Sequence, residues 1–468
     1  MDPGLPALWQ HGGMDVGNGS VDVIVIGMGP GGEVAASRLI NGGKRVAVVE
    51  QELIGGECGY WACIPSKTLL RSPEVQAEAE RAAGIARPAV DWPALRDYRD
   101  VMIRHLDDAK QVEGYEQQGA TVIKGAARIV GRDPWRVQAG DRELTADHVI
   151  VATGSEALRP PIEGLDGLEV WTNRQATGLQ EIPGRAVMIG GSAVGVELGQ
   201  FLARMGCAVT LVQRGPRLLG REEPQVGELV AEHLRADGID VRVDCQVTAA
   251  RRDGADTVAD LSDGTSVRTD VVVLGAGRKP RTDGLGLSQL GVAPEGHGGL
   301  PVDGQCRVTD DGLWAVGDVT GVALFTHVAK YQGRIAADTI LGKPRTAGYT
   351  GVPRVVFADP EIAAVGLTRE QAQHQGIEVA TAEVELPKIL ARPWTYQTEP
   401  VGTLGLLADR ERGALVGAWA VAPMAGEWIH QAALAIRAGV PLAVLLDGIA
   451  QFPTYSEGYL NALEALTL

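Results

Sequence analysis

The chain has 468 residues, 45% of them apolar, and a formal net charge of −16. That length exceeds one ordinary core and predicts about three domains. The acidic balance argues against a nucleic-acid or anionic-membrane partner, because phosphate binding needs a basic surface. No apolar run reaches the roughly 18 residues of a membrane span, and the N-terminus shows neither the charged nor the apolar region of a signal peptide. Five cysteines, three of them isolated (Cys207, Cys245 and Cys306), do not make a disulfide-stapled secreted scaffold. A cytoplasmic, reducing compartment is expected.

In chain order, residues 1–20 are rich in Gly and Pro without periodicity and are expected to form a flexible tail, with Met14 as an alternative start. Val21–Ile26 is a buried-type strand, Gly27–Gly32 a turn, Glu33–Asn41 a helix, and Arg45–Val49 a second strand ending in Glu50. Another apolar strand, Asp147–Thr153, closes on Gly154. A second strand–turn–helix–strand unit runs from Ala186 to Val212, and Asp270–Leu274 precedes Gly275-Ala276-Gly277-Arg278. Beyond about residue 345 the βαβ punctuation stops and strands mix with Ala- and Leu-rich helices. The expected division is 21–154 and 276–345 for one nucleotide-binding domain in two parts, 155–275 for a second, and 346–468 for a separate C-terminal domain. The fold class is α/β: two Rossmann-like domains plus an α+β domain.

Gly27-Met28-Gly29-Pro30-Gly31-Gly32 fits the dinucleotide fingerprint G-x-G-x-x-G, and Glu50 follows where an acid would take ribose hydroxyls. Gly27 makes the tight turn, Gly29 admits the pyrophosphate and Gly32 lets the helix pack on the strand; the helix N-terminus faces the phosphates. Gly190-Gly191-Ser192-Ala193-Val194-Gly195 is a second such loop, with Ser192 at the usual middle Gly. After the next strand stand Gln213 and Arg214, with Arg217 and Arg221 nearby. An arginine there suits a 2′-phosphate, so NADPH is favoured over NADH; the alternative is ordinary surface arginines.

Cys58 and Cys63 lie within Gly55-Gly56-Glu57-Cys58-Gly59-Tyr60-Trp61-Ala62-Cys63-Ile64-Pro65-Ser66-Lys67. Two thiols four residues apart can bridge if the chain bends. The second, near a helix start, is placed to favour a thiolate.

Together these motifs resemble the pyridine nucleotide–disulfide oxidoreductases, which include lipoamide dehydrogenase, glutathione reductase and mercuric reductase. The resemblance covers residues 21–468. It is carried by the two glycine loops, Cys58–Lys67, Ala152-Thr153-Gly154, Glu197, Ala315-Val316-Gly317-Asp318, Val356–Glu361 with Val365–Thr368, and Phe452-Pro453-Thr454-Tyr455-Ser456-Glu457. It implies an FAD- and NAD(P)H-dependent enzyme acting on a small-molecule substrate. Cys58 would be the interchange thiol and Cys63 the flavin-side thiol. Lys67 and Glu197 would form an ion pair beside the flavin. Gly27, Gly29, Gly32, Glu50, Thr153, Gly154, Gly317 and Asp318 would hold FAD; Gly190, Ser192, Gly195, Arg214 and Gly277 would hold NAD(P)H. No metal site is expected. A homodimer is implied, each site completed by the partner's 452–457 segment.

One position departs from the family. Its C-terminal motif begins with a histidine that exchanges protons with the thiols, whereas this chain has Phe452 and keeps Glu457. Losing a general acid–base costs roughly 10²–10⁴ in rate. Tyr455, or a buried Glu457 with a raised pKa, could serve instead, or Phe452 could mark a decayed site. Soluble transhydrogenases resemble this C-terminus but lack the second cysteine; 2-ketopropyl-coenzyme M carboxylase keeps both cysteines with Phe but replaces the Glu. Tyr60 and Trp61 also depart from the small or aliphatic residues usual between the thiols, and are expected to narrow the pocket or stack on a flat substrate. The terminal Ala465–Leu468 lacks the cysteine pair of mercuric reductases, so mercuric ion is not the expected substrate. Three readings follow: a dithiol/disulfide oxidoreductase with an atypical disulfide, thiol or thioether substrate; a flavin-level transhydrogenase, diaphorase or quinone reductase that bypasses the thiols; and a redox sensor.

Overall fold

The computed structural model describes residues 19–467. Most of the expected N-terminal tail, Met14 included, lies outside them, as does Leu468. Among the described residues no helix is long and apolar enough to cross a membrane. The described residues divide into two compact units, one of residues 19–54, 109–154 and 281–346 and the other of residues 55–108, 155–280 and 347–467.

The first unit is built on an eight-stranded sheet. Its parallel strands run in the order Leu313–Ala315, Arg142–Val151, Ser20–Ile26, Val46–Glu50 and Thr121–Lys124. Within Ser20–Ile26, the Val23–Ile26 stretch reads as a continuous apolar run because it is central and covered on both faces. The Arg142–Val151 strand starts five residues before the expected Asp147, because its first half pairs antiparallel with Trp135–Ala139. The helix after the first strand spans Pro30–Asn41, three residues longer than expected. Pro30 suits the first helical position, and Gly31 and Gly32 lie inside the helix for close approach rather than in a turn. An alanine Cβ at Gly32 would stand 2.1 Å from the Gly27 carbonyl oxygen. Pro30–Asn41 also crosses Thr326–Ile340 at a second glycine, since a Cβ on Gly333 would meet the Gly31 carbonyl oxygen at 2.5 Å.

The second unit holds a parallel five-stranded sheet in the order Asp240–Arg242, Ala208–Val212, Arg185–Ile189, Val271–Leu274 and Val170–Trp171. An antiparallel three-stranded sheet (Val247–Asp253, Asp256–Leu261, Ser266–Thr269) accompanies it. The C-terminal region forms a five-stranded antiparallel sheet from Pro353–Val356, Ile362–Gly366, Ala414–Val421, Thr403–Asp409 and Val379–Glu385. One apolar core joins Leu69 and Leu70 of the Cys63–Arg81 helix to Phe201 of the Ala193–Arg204 helix and to Val356 and Trp419 of the C-terminal sheet. That core fixes the cysteine-bearing helix in place.

Candidate active site

In the first unit, Gly27 has φ +93°, and a Cβ there would lie 2.5 Å from the Ala152 carbonyl oxygen. Gly29 is the N-cap of Pro30–Asn41, and no side chain caps that helix, so its first N–H groups are available to an anion. Glu50 is buried; it accepts N–H bonds from Met28 and Glu52, each at 2.7 Å, one on each oxygen. Burial pushes its carboxyl above the usual range, against the opposing pull of those two bonds. Each oxygen keeps a lone pair for a further donor, so loop and acid together fit an adenosine diphosphate moiety. Thr153 donates its hydroxyl to the Arg281 carbonyl at 2.6 Å, and the Gly154 carbonyl accepts the Arg281 N–H at 2.9 Å. Gly317 precedes the Asp318–Thr320 turn, and its N–H is held at 2.7 Å by the buried side chain of Gln332. Residue types alone gave no sign of Gln332.

The second glycine loop repeats the geometry: a Cβ on Gly195 would stand 2.0 Å from the Gly190 carbonyl oxygen. Ser192 spends its hydroxyl on the Gly275 carbonyl at 2.6 Å and leaves the Ala193–Arg204 helix without a side-chain cap. Gln213 accepts the Gly191 N–H at 2.8 Å, 22 residues away, the same separation as between Met28 and Glu50. An amide thus performs the loop-holding task that a carboxylate performs in the first unit, leaving no negative charge there. Arg214 follows it and is exposed. Gly277 adopts φ +122° and its carbonyl accepts the Leu158 N–H at 2.9 Å.

Cys58 sits in the short helix Gly56–Tyr60 and Cys63 is the first residue of Cys63–Arg81; both are half-buried. No side chain caps the Cys63 helix, so its N-terminal partial positive charge acts on that thiol. Lys67 lies one turn on. Its Nζ stands 2.7 Å from Glu197 Oε2 and 4.8 Å from the centre of the Phe357 ring. The other oxygen of Glu197 accepts the Phe357 N–H at 2.9 Å. The expected pair is therefore brought together, with Phe357 as a third member. Beyond it lies a cavity of about 260 Å³ lined by Lys67, Glu74, Arg204, Phe357, Asp359 and Glu361. Burial, with Glu74, Glu427 and Asp359 nearby, pushes the Glu361 carboxyl up to about 7 although it accepts the Gly426 N–H.

The residues between the thiols do not both behave as expected. Tyr60 is fully buried, so it is closed to a substrate. Trp61 is half-buried, with the Arg174 guanidinium 4.0 Å from its ring centre, so a cation already occupies part of the ring's surroundings.

Phe452 is 75% exposed on the chain. Tyr455 is buried, stacked on Trp428 with ring centres 6.2 Å apart, and its hydroxyl has no hydrogen-bond partner among the described residues. Burial pushes its phenol up to about 12, which corrects the idea of Tyr455 as a base: it keeps its proton at neutral pH. Glu457 is half-buried rather than buried; it opens the Glu457–Glu464 helix and accepts the Thr454 N–H at 3.1 Å.

Two family models account for most of the chain: the pyridine nucleotide-disulphide oxidoreductase model matches residues 21–333 and its dimerisation-domain model residues 352–463. The chain belongs to the pyridine nucleotide-disulphide oxidoreductases. The oxidoreductase is 35% identical to a mercuric reductase of Streptomyces lividans over 458 residues, covering 95% of this chain and 96% of the relative. It is 34% identical to a dihydrolipoyl dehydrogenase of Thermus scotoductus, covering 95% and 97%. Among solved structures it resembles the HOCl-induced flavoprotein disulfide reductase RclA of Escherichia coli, with a TM-score of 0.84 and 26% identity over 95% of this chain and all of that one. It is accordingly an FAD-containing enzyme that uses a pyridine nucleotide and carries a homodimerisation domain.

Proposed function

We propose that the oxidoreductase exchanges electrons between NADP(H) and an atypical substrate through Cys58 and Cys63, reducing a disulfide or thioether or, in the reverse direction, oxidising a thiol. The observation that carries this reading is Cys63 at the uncapped start of a 19-residue helix, with the Glu197-held Lys67 four residues on. The helix N-terminus favours the thiolate, and the Lys67–Glu197 pair stands one turn along the same helix. FAD, when bound, supplies the two-electron carrier between nicotinamide and the cysteine pair; residues 21–154 and 276–345 are proposed to hold it. Residues 155–275 are assigned the nicotinamide nucleotide, and Gln213 followed by Arg214 supports the 2′-phosphorylated form. With a disulfide substrate, the Cys58 thiolate attacks one sulfur and the other leaves as a thiolate. Cys63 then displaces the second thiol and the Cys58–Cys63 bond forms again. Each leaving thiolate takes one proton from solvent or a nearby acid. With Phe452 where the partner's imidazole would act, simple disulfides are expected to turn over slowly.

Anaerobic NADPH titration tests this reading. Two equivalents should be taken up per protomer with a long-wavelength thiolate-to-flavin absorbance; one equivalent without that band overturns it. A second reading, flavin-level hydride exchange, is favoured by one observation: neither Phe452 nor the high-pKa Tyr455 can accept a proton at neutral pH. Unchanged quinone and thio-NADP reduction by Cys58→Ala would select it.

A further inference from the structure

The turn between the two cysteines is held from outside by a short helix. Asn173–Gly178, capped by Thr172 and Gln175, presents Asn173 and Thr177 one turn apart, both buried. The Trp61 carbonyl accepts from Asn173 Nδ2 at 2.8 Å and from Thr177 Oγ1 at 3.1 Å. Asn173 Nδ2 also reaches Glu57 Oε1 at 2.8 Å, one residue before Cys58. Arg174 donates to Glu57 Oε2 at 2.6 Å from one nitrogen and 3.1 Å from another, and its guanidinium stands against the Trp61 ring. Arg278 fixes the far side of Asn173 at 3.3 Å and is anchored on Ser155 at 2.7 and 2.8 Å. One oxygen, one carboxylate and one ring of the redox loop are thus tied to residues more than 100 positions away.

Arg174 and Glu57 neutralise each other. Burial pushes the Glu57 carboxyl up, but hydrogen bonds from Arg174 and Asn173 outweigh it and hold the carboxyl below the usual range. The effect of Arg174 on the thiols is therefore geometric more than electrostatic. We infer that Arg174 is a positioning residue for the redox pair: its stack on Trp61 and its clasp on Glu57 hold the loop in the shape in which Cys58 and Cys63 close on each other. Preorganisation of this kind raises the effective concentration of one thiol at the other. A planar guanidinium can stack and grip a carboxylate together, which an ammonium cannot.

The inference rests on Cys58 and Cys63 being the working pair, so the test measures that pair directly. The holoenzyme is equilibrated in dithiothreitol redox buffers, quenched, and its thiols counted by mass after alkylation. In Arg174→Met the equilibrium constant for closing the disulfide should fall about tenfold, a shift of about 30 mV for a two-electron couple. Arg174→Lys should fall nearly as far although it keeps the charge. Trp61→Leu, which leaves the Arg174–Glu57 pair intact, should shift the same way, and the double variant should be no worse than the larger single effect. Closing constants within twofold of wild type in Arg174→Met and Trp61→Leu overturn the inference, as do singles that simply add. A wild-type pair that never oxidises in any buffer defeats the underlying reading instead.

Discussion

At the scale of single residues, burial decides what each titratable side chain can do. Tyr455 and Glu361 are both desolvated, yet the consequences differ because a phenol starts high and a carboxyl starts low. Pushed to about 12, Tyr455 is inert near neutrality; pushed to about 7, Glu361 titrates there. For Glu361 the folded-state value lies above the ordinary 4.5. The folded state therefore binds more protons in that window, and stability falls as pH rises from about 4.5 through 7. Glu361→Gln removes this penalty while its amide oxygen can still accept the Gly426 N–H. Denaturant midpoints should show the variant gaining about 1–2 kcal/mol on wild type between pH 5 and pH 8. An equal gap at both pH values would contradict the assignment.

At the scale of elements, glycines set how closely helices and strands approach. Gly333 and Gly114 are both helical, but only Gly333 faces another backbone. A Cβ at Gly333 would meet the Gly31 carbonyl oxygen at 2.5 Å, whereas one at Gly114 meets nothing within 4 Å. Gly333→Ala must push Thr326–Ile340 away from Pro30–Asn41 and should cost about 1–3 kcal/mol and loosen FAD retention. Gly114→Ala should stabilise by about 0.4–1 kcal/mol. Thermal melts and the flavin retained on gel filtration check both; a neutral Gly333→Ala would mean that the helix crossing is not tight. The two glycine loops were legible in the sequence because each turn, its spacing and the residue that holds it, Glu50 or Gln213, lie within one βαβ unit. The helix start was misplaced by three residues because Gly31 and Gly32 look like turn formers until the partners they approach are known.

At the scale of the whole molecule, the C-terminal region matches the family's dimerisation domain. Leu434, Val444, Ile449 and Phe452 are 63%, 58%, 100% and 75% exposed on the single chain. Such a concentration of large apolar side chains between residues 434 and 452 is expected at an association surface. Ile449→Asp should raise the dimer–monomer midpoint at least about tenfold in sedimentation equilibrium, since a buried unpaired carboxylate costs well over 1.4 kcal/mol. Activity per protomer should fall with dissociation if the 452–457 segment completes the partner's site. A dimer of unchanged affinity would place the interface elsewhere.

The sequence by itself determined the local features: two glycine-rich loops of dinucleotide-fingerprint spacing and a cysteine pair at a helix start; the weight of Phe452 came from the family resemblance. The pairing of Lys67 with Glu197 was legible only through family resemblance, because 130 residues separate the two. Tertiary structure alone decided that Gln213 holds the second loop, that Tyr60 is closed to substrate, that Tyr455 is sealed against Trp428, and that Arg174 lies on Trp61. Covalent spacing and backbone geometry are written in neighbouring residues. Burial and pairing depend on what distant segments bring alongside, and it is these that set pKa values and hold the redox loop.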